Sequence, residues 1–200
     1  MNEKLTSAHN LFYEKNYADA KNIFIELNQT YEAGLCSLLL RDLKEARKFF
    51  KIKEGNCPAS NFGLVIIDLL EDKIPKQTQY FQVRSFLEIY INLLIENKFF
   101  DWGQKIIDNY EFFTRANLEV PKFIARVLYA NNQNKAVHSF AKLAKELCFF
   151  DAEIHYIDAS IYILEKEYKE AKKCIKDCLN FAPEYYPILK LQKELKEFIP

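Results

Sequence analysis

The sequence predicts an all-α chain made of consecutive antiparallel helix pairs. Apolar residues recur with helical spacing along nearly the whole chain. Most of the breaks between these stretches are short, and short links make consecutive helices antiparallel neighbours. Glycine (four) and proline (six) are scarce among the 200 residues. No segment alternates apolar and polar residues as a half-buried strand would.

The apolar periodicity predicts twelve helices, each starting after a short polar break such as "KN", "RD" or "NK". They lie at about 3–14, 17–28, 30–41, 43–53, 59–71, 78–97, 100–114, 119–130, 133–148, 151–165, 168–180 and 185–198. Two breaks are stronger. The segment 53–60 carries Gly55 and Pro58, and the segment 71–79 carries Pro75 and no apolar pattern. We therefore expect one domain, 1–200, with sub-blocks 1–71 and 77–200 and a hinge at 72–78.

A small residue recurs early in the second helix of each pair. We refer to it as the anchor. The predicted anchors are Ala20, Ala46, Gly103, Ala136 and Ala171. Four residues after them stand Phe24, Phe50, Ile107, Phe140 and Ile175, and twelve residues before them stand Ala8, Gly34, Ile91, Ile124 and Ala159. A small anchor lets two helices approach closely, and a large apolar residue one turn later fills the space beside the pair.

This pattern resembles the tetratricopeptide repeat, a helix–turn–helix unit of 34 residues. The anchors are 26, 57, 33 and 35 residues apart. The resemblance implies a right-handed solenoid of about five repeats. The short first spacing implies unusually short helices around residues 25–40, and the spacing of 57 leaves room for an extra helix at 59–71. The last segment, 185–198, has one apolar face and one charged face, as a capping helix would.

Composition argues against several classes of protein. Lys and Arg together number 28 and so do Asp and Glu, which gives none of the basic surface typical of a nucleic-acid binder. No apolar run approaches the ~20 residues of a membrane span, and the first ten residues lack the apolar core of a signal peptide. The five cysteines are odd in number and lie on apolar faces, as reduced buried thiols do. We therefore predict a cytoplasmic protein.

Enzymatic and metal-binding patterns are not evident. None of the histidines His9, His138 and His155 has a second ligand at zinc-site spacing. Cys174 and Cys178 share a helix face, but Cys178 occupies a packing position of the repeat. No nucleophile motif, Walker loop or dinucleotide fingerprint is present. The sequence predicts no catalytic residue, no metal and no cofactor.

The first helices of tetratricopeptide repeats line a groove that holds a partner segment. In this family, the positions that face the groove lie at fixed distances from the anchor. In this sequence they fall 15, 11 and 8 residues before each anchor. The predicted groove residues are Leu5, His9, Phe12, Tyr31, Leu35, Leu38, Glu88, Asn92, Ile95, Leu128, Tyr156, Ser160 and Ile163, together with Pro121 and Ala125. This mostly apolar and aromatic set suits an amphipathic helix or an extended apolar segment.

The carboxylate clamp of co-chaperone repeats needs Lys and Asn, then Asn, then Lys and Arg, on three successive first helices. In the frame that starts at the third unit, the matching residues are Glu88, Asn92, Lys122, Glu153 and Ile157. That set does not form the clamp, and neither does the frame that starts at the first unit.

Three functions remain open. The first is a non-enzymatic module that binds a protein partner in an apolar groove, as an adaptor or an assembly chaperone does. The second is a structural scaffold whose apolar surface closes a homodimer. The third is an enzyme with an unrecognised site.

Overall fold

The structure, a computed structural model, describes residues 3–75 and 83–198, except for the side chains of Glu197 and Phe198. These residues form thirteen α-helices and no strand. The helices are α1 Glu3–Tyr13, α2 Tyr17–Glu26, α3 Thr30–Leu39, α4 Leu43–Lys51, α5 Pro58–Leu70, α6 Val83–Glu96, α7 Phe100–Asp108, α8 Tyr110–Thr114, α9 Val120–Ala130, α10 Asn134–Leu147, α11 Ala152–Leu164, α12 Tyr168–Phe181 and α13 Tyr186–Phe198. The all-helical, helix-pair architecture predicted from the sequence is confirmed.

Several finer predictions are also confirmed. The helices α2, α3 and α4 have 10, 10 and 9 residues, whereas α10 and α12 have 14 each. The extra helix is α5, which has Pro58 at its first turn. Residues 76–82, which include part of the predicted hinge and of the helix at 78–97, lie outside the described residues. The hinge remains a prediction.

The predicted single helix at 100–114 is wrong. The chain forms α7 and α8, which are separated at Asn109. The Asn109 side-chain amide donates to the carbonyl of Lys105 at 2.8 Å. An asparagine side chain competes with the backbone for hydrogen bonds and so favours helix ends.

The same tight turn joins the two helices of five pairs. The turn has three residues, and the middle one has a positive φ. This angle lies between 61° and 64° at Lys15, Arg41, Lys98 and Lys166, and it is 57° at Asn132. The next backbone N–H donates to the carbonyl five residues earlier, for example Glu167 to Tyr162 at 2.8 Å. This is the Schellman arrangement that ends many helices.

The turns correct one predicted anchor. In four pairs, the turn residue with positive φ lies five positions before the anchor. In the remaining pair, α9 and α10, the residue five positions after Asn132 is Val137 rather than the predicted Ala136. Val137 is fully buried, while Ala136 is half-buried. Twelve residues earlier this register places Ala125, also fully buried, in place of Ile124. The last two anchor spacings, from Gly103 to Val137 and on to Ala171, then both equal 34 residues.

The chain forms two compact units. The first comprises Met1–Phe81 and Leu93–Asn109, and its core includes Ala8, Ala20, Phe24 and Cys36. The second comprises Gln82–Asn92 and Tyr110–Pro200. In the second unit, Ile188, Leu191 and Leu195 of α13 pack on buried residues of α11 and α12, as a capping helix would.

No helix in the described part of the chain combines the length and the apolar character needed to cross a membrane.

Candidate functional site

The groove residues predicted for the first unit differ in exposure. Leu5, His9, Phe12 and Tyr31 are half-buried, and the ring of His9 meets the edge of Phe24 at 5.2 Å between centroids. Leu35 and Leu38 are 8% and 0% exposed, so they contribute to the core and not to a binding surface. Ile95, at the end of α6, is half-buried in the same unit and approaches the Gly103 backbone.

The corrected register changes the groove in the second unit. Pro121, Ala125 and Leu128 are buried, Leu128 at 3% exposure, and so they do not line a groove. The positions 15, 11 and 8 residues before Val137 hold Lys122, Arg126 and Tyr129, all half-buried. Sequence reasoning missed these three residues because the predicted anchor was one residue too early.

We define the polar band as seven side chains of the second unit on the first helices α6, α9 and α11. They are Glu88, Asn92, Lys122, Arg126, Tyr129, Glu153 and Tyr156. Each is half-buried. Predicted residues Ser160 and Ile163 follow on α11; Ser160 is 6% exposed and donates its hydroxyl to the Tyr156 carbonyl at 2.8 Å.

Arg126 connects three helices at the centre of the polar band. Its Nη1 donates to Glu88 Oε1 at 2.8 Å, and its Nε donates to Glu153 Oε1 at 2.7 Å. A second bond, from Nη2 to Glu153, completes a two-pronged contact with that carboxylate. Lys122 pairs with Asp151 and lies 3.4 Å from Glu153.

These cations set the protonation of Glu153. Burial alone would raise the pKa of this carboxyl group, but the hydrogen bonds and charges of Arg126 and Lys122 outweigh burial and lower it. Burial alone would lower the pKa of Lys122, but the carboxylates of Asp151 and Glu153 outweigh burial and raise it. At neutral pH, Glu153 and Lys122 are therefore both charged, and Glu153 is paired with Lys122 and Arg126.

Amide and aromatic groups complete the band. Asn131 Nδ2 donates to Asn92 Oδ1 at 2.5 Å. Tyr129 and Tyr156 meet edge to face, with ring centroids 6.4 Å apart. Burial and the neighbouring Tyr129 raise the pKa of Tyr156, which keeps its hydroxyl protonated. The band thus presents charges, amides and aromatic edges, whereas the sequence predicted an apolar groove.

A second polar cluster lies in the same unit and was also missed. Asp158 of α11 is 3% exposed. Its carboxylate contacts His138 Nδ1 at 2.5 Å and Lys145 Nζ, both on α10. His138 Nε2 lies 2.9 Å from Glu165. No sequence spacing signals this cluster, because its members pair across helices.

The cysteines are all free. Burial raises the pKa of Cys36 and of Cys174 to about 12, so neither thiol is ionised at neutral pH. The expectation of buried thiols is wrong for Cys148, the residue that follows α10, which is exposed, and Cys57 is only half-buried. Among the residues described, no three His, Cys, Asp or Glu side chains converge as metal ligands do.

No known family matches the chain, and no curated protein matches it. Among solved structures, the chain is similar to a thermophilic TPR protein of Thermus thermophilus. The two are 16% identical, the match covers 98% of this chain and 96% of that one, and the TM-score is 0.37. At that score the likeness carries no argument about function; the helix-pair architecture rests on the helices and turns described above.

Proposed function

We propose that the chain is a non-enzymatic protein-interaction scaffold whose polar band holds a segment of a partner protein. The supporting observation is the ordered set of half-buried polar and aromatic side chains across α6, α9 and α11. Arg126 fixes this set through bonds to Glu88 and Glu153. Pre-ordered side chains lose little conformational entropy when a ligand binds, which favours recognition.

The chemistry of the band favours a polar, extended segment. Asn92 Nδ2 can donate to a peptide backbone and Asn131 Oδ1 can accept from one, because Asn131 Nδ2 already donates to Asn92 Oδ1 and to the Val127 carbonyl. Tyr129 and Tyr156 offer flat apolar edges beside them. A free terminal carboxylate is disfavoured, because Lys122 and Arg126 are already paired with acids. An adaptor or assembly chaperone is a narrower form of this proposal, and no described residue selects it.

The test is affinity capture with matched variants. Tyr156→Ala and Asn92→Ala remove groups from the polar band, and Lys172→Ala changes an exposed residue of α12 outside it. We expect both band variants to lose partners that the unaltered chain and the α12 variant retain. The bound segment is then mapped, and its affinity is measured with a synthetic peptide. Equal capture by all four proteins would contradict a binding role for the band.

A homodimeric scaffold is the second candidate, and one exposed patch favours it. Leu118, Leu147, Phe149 and Phe150 are 65%, 49%, 45% and 75% exposed at the ends of the second-unit helices. Leu118 and Leu147 line one small pocket, and the rings of Phe149 and Phe150 lie 5.6 Å apart. Contiguous exposed apolar surface often marks an association site.

A further inference from the structure

An open cleft of about 340 Å³ lies between α10 and α12, with α11 as its floor. Its lining includes Phe149, His155, Asp158, Tyr162, Lys173 and Cys174. We refer to it as the outer cleft, because His155, Asp158 and Tyr162 lie on the face of α11 opposite to Glu153, Tyr156 and Ser160. The volume is at the lower end of the range for small-molecule sites, about 300–1,000 Å³.

His155 is a lining residue of this cleft, and one hydrogen-bond acceptor of its buried ring is unused. Its Nε2 lies 2.8 Å from the carbonyl oxygen of Phe149. A carbonyl only accepts, so Nε2 carries the proton and Nδ1 has a free lone pair. His155 is 1% exposed, and its Nδ1 has no hydrogen-bond partner among the described residues. A buried acceptor without a donor is unfavourable, which a ligand donor would relieve.

The other polar groups of the floor are occupied. The two oxygens of Asp158 face His138 and Lys145 respectively, and the thiol of Cys174 lies 3.6 Å from the same carboxylate. Among the fully buried polar groups of the lining, the acceptor without a partner is therefore Nδ1 of His155; Tyr162, Glu146, Glu170 and Asp177 are half-buried or exposed. Burial lowers the pKa of His155, which keeps the ring neutral and the lone pair available.

The walls indicate the rest of the ligand. Phe149 and Tyr162 contribute aromatic surface. The lining lysines number three and the lining carboxylates four, so the cleft carries little net charge. We propose that the outer cleft binds a small, neutral, flat molecule that donates one hydrogen bond from an N–H or O–H group to Nδ1 of His155. This site is independent of the polar band and of its partner.

The test compares two probes that differ only in the donor, indole and 1-methylindole. Each is titrated into the full chain labelled with ¹⁵N, and the Nδ1 resonance of His155 is followed. We expect indole to move this resonance in the direction of an accepted hydrogen bond and to bind about ten-fold or more tightly than 1-methylindole.

Two variants of exposed lysines locate the binding. Lys173→Trp places a large side chain in the cleft, whereas Lys172→Trp adds the same side chain to the neighbouring position outside its lining. We expect only the first to abolish indole binding, with equal helix content in both by circular dichroism. Binding of neither probe, equal affinity for both, an unmoved Nδ1 resonance at saturation, or unchanged binding by the Lys173 variant would each overturn the proposal.

Discussion

At the residue scale, the helical glycines Gly34 and Gly103 have different surroundings. A Cβ on Gly34 of α3 would lie 2.5 Å from Cε1 of Phe50, a fully buried ring on α4. A Cβ on Gly103 of α7 would meet its nearest atom, of Ile95, at 3.9 Å. Of these two, only Gly34 is required for the close approach of two helices.

We expect Gly34→Ala to lower the free energy of unfolding by about 1–3 kcal/mol, because the ring of Phe50 has no room to retreat. Gly103→Ala is the control, and we expect it to be neutral or to stabilise by about 0.5–1 kcal/mol, the usual gain of alanine in a helix. Urea unfolding monitored by circular dichroism measures both. Equal effects of the two substitutions would show that the α3–α4 contact is looser than the structure indicates.

His155 predicts a pH dependence of stability. Burial lowers its pKa in the folded chain below the ordinary value of 6.5. The unfolded chain therefore takes up a proton first as the pH falls. The free energy of unfolding is then highest above pH 6.5 and decreases as the pH falls from 6.5 through the lowered folded pKa.

His155→Gln retains a side-chain donor for the Phe149 carbonyl but does not titrate. We expect the variant to show a smaller loss of stability than the unaltered chain between pH 7 and pH 5, measured by urea unfolding at several pH values. His9 and His138 are present in both proteins, so the difference isolates His155. Parallel pH profiles would contradict the buried neutral ring.

At the scale of elements, the helix-pair turns place residues other than glycine in the left-handed region. Lys166 lies in the turn between α11 and α12 and has a φ of 64°. In this backbone conformation the Cβ atom of a lysine is sterically unfavourable. We expect Lys166→Gly to raise the free energy of unfolding by about 1 kcal/mol. Lys176→Gly is the same change in the exposed interior of α12, where it should cost about 1 kcal/mol. Thermal unfolding of both variants tests the prediction, and a loss of stability in both would contradict it.

Arg126 joins the helices of the polar band through half-buried ion pairs. A double-mutant cycle of Arg126→Met and Glu153→Gln should give a coupling free energy of about 1–2 kcal/mol, because the contact is two-pronged and partly shielded from water. The exposed pair Lys190 and Glu194 of α13, 3.8 Å apart, is the control cycle and should give about 0.5 kcal/mol or less. Similar values for the two pairs would mean that the band is not held in place by Arg126.

At the scale of the whole molecule, the oligomeric state separates the two candidate functions. We expect light scattering after size exclusion to give 23.7 kDa, the mass of one chain, across a wide range of concentration. A species of twice that mass that Phe150→Asp converts to the monomer would instead support the homodimeric scaffold. Phe100→Asp, at a similarly exposed phenylalanine of the first unit, controls for a general effect of the added charge.

The amino-acid pattern alone predicts the helix pairs, the extra helix α5, the capping helix α13 and the shortness of α2, α3 and α4. These features follow from apolar periodicity and short polar breaks, which act between residues close in the chain. The sequence also located four of the five anchors. Ala20, Ala46 and Ala171 each stand between two charged residues, and Gly103 stands between Trp102 and Gln104, neither of which is small.

The register of the fourth pair depends on how the helices pack. Ala136 and Val137 both suit an anchor, and only packing shows that Val137 is the buried one. Ile124 and Ala125, one helix earlier, are both fully buried, and the turn at Asn132 decides between them. Moving the anchor by one residue moves the groove position from Leu128 to Tyr129, and this shift makes the band polar. The structure also decided the bonds of Arg126, whose partners are 38 and 27 residues away, and the partners of Asp158. Such pairings depend on how separate helices pack, which no local pattern in the chain specifies.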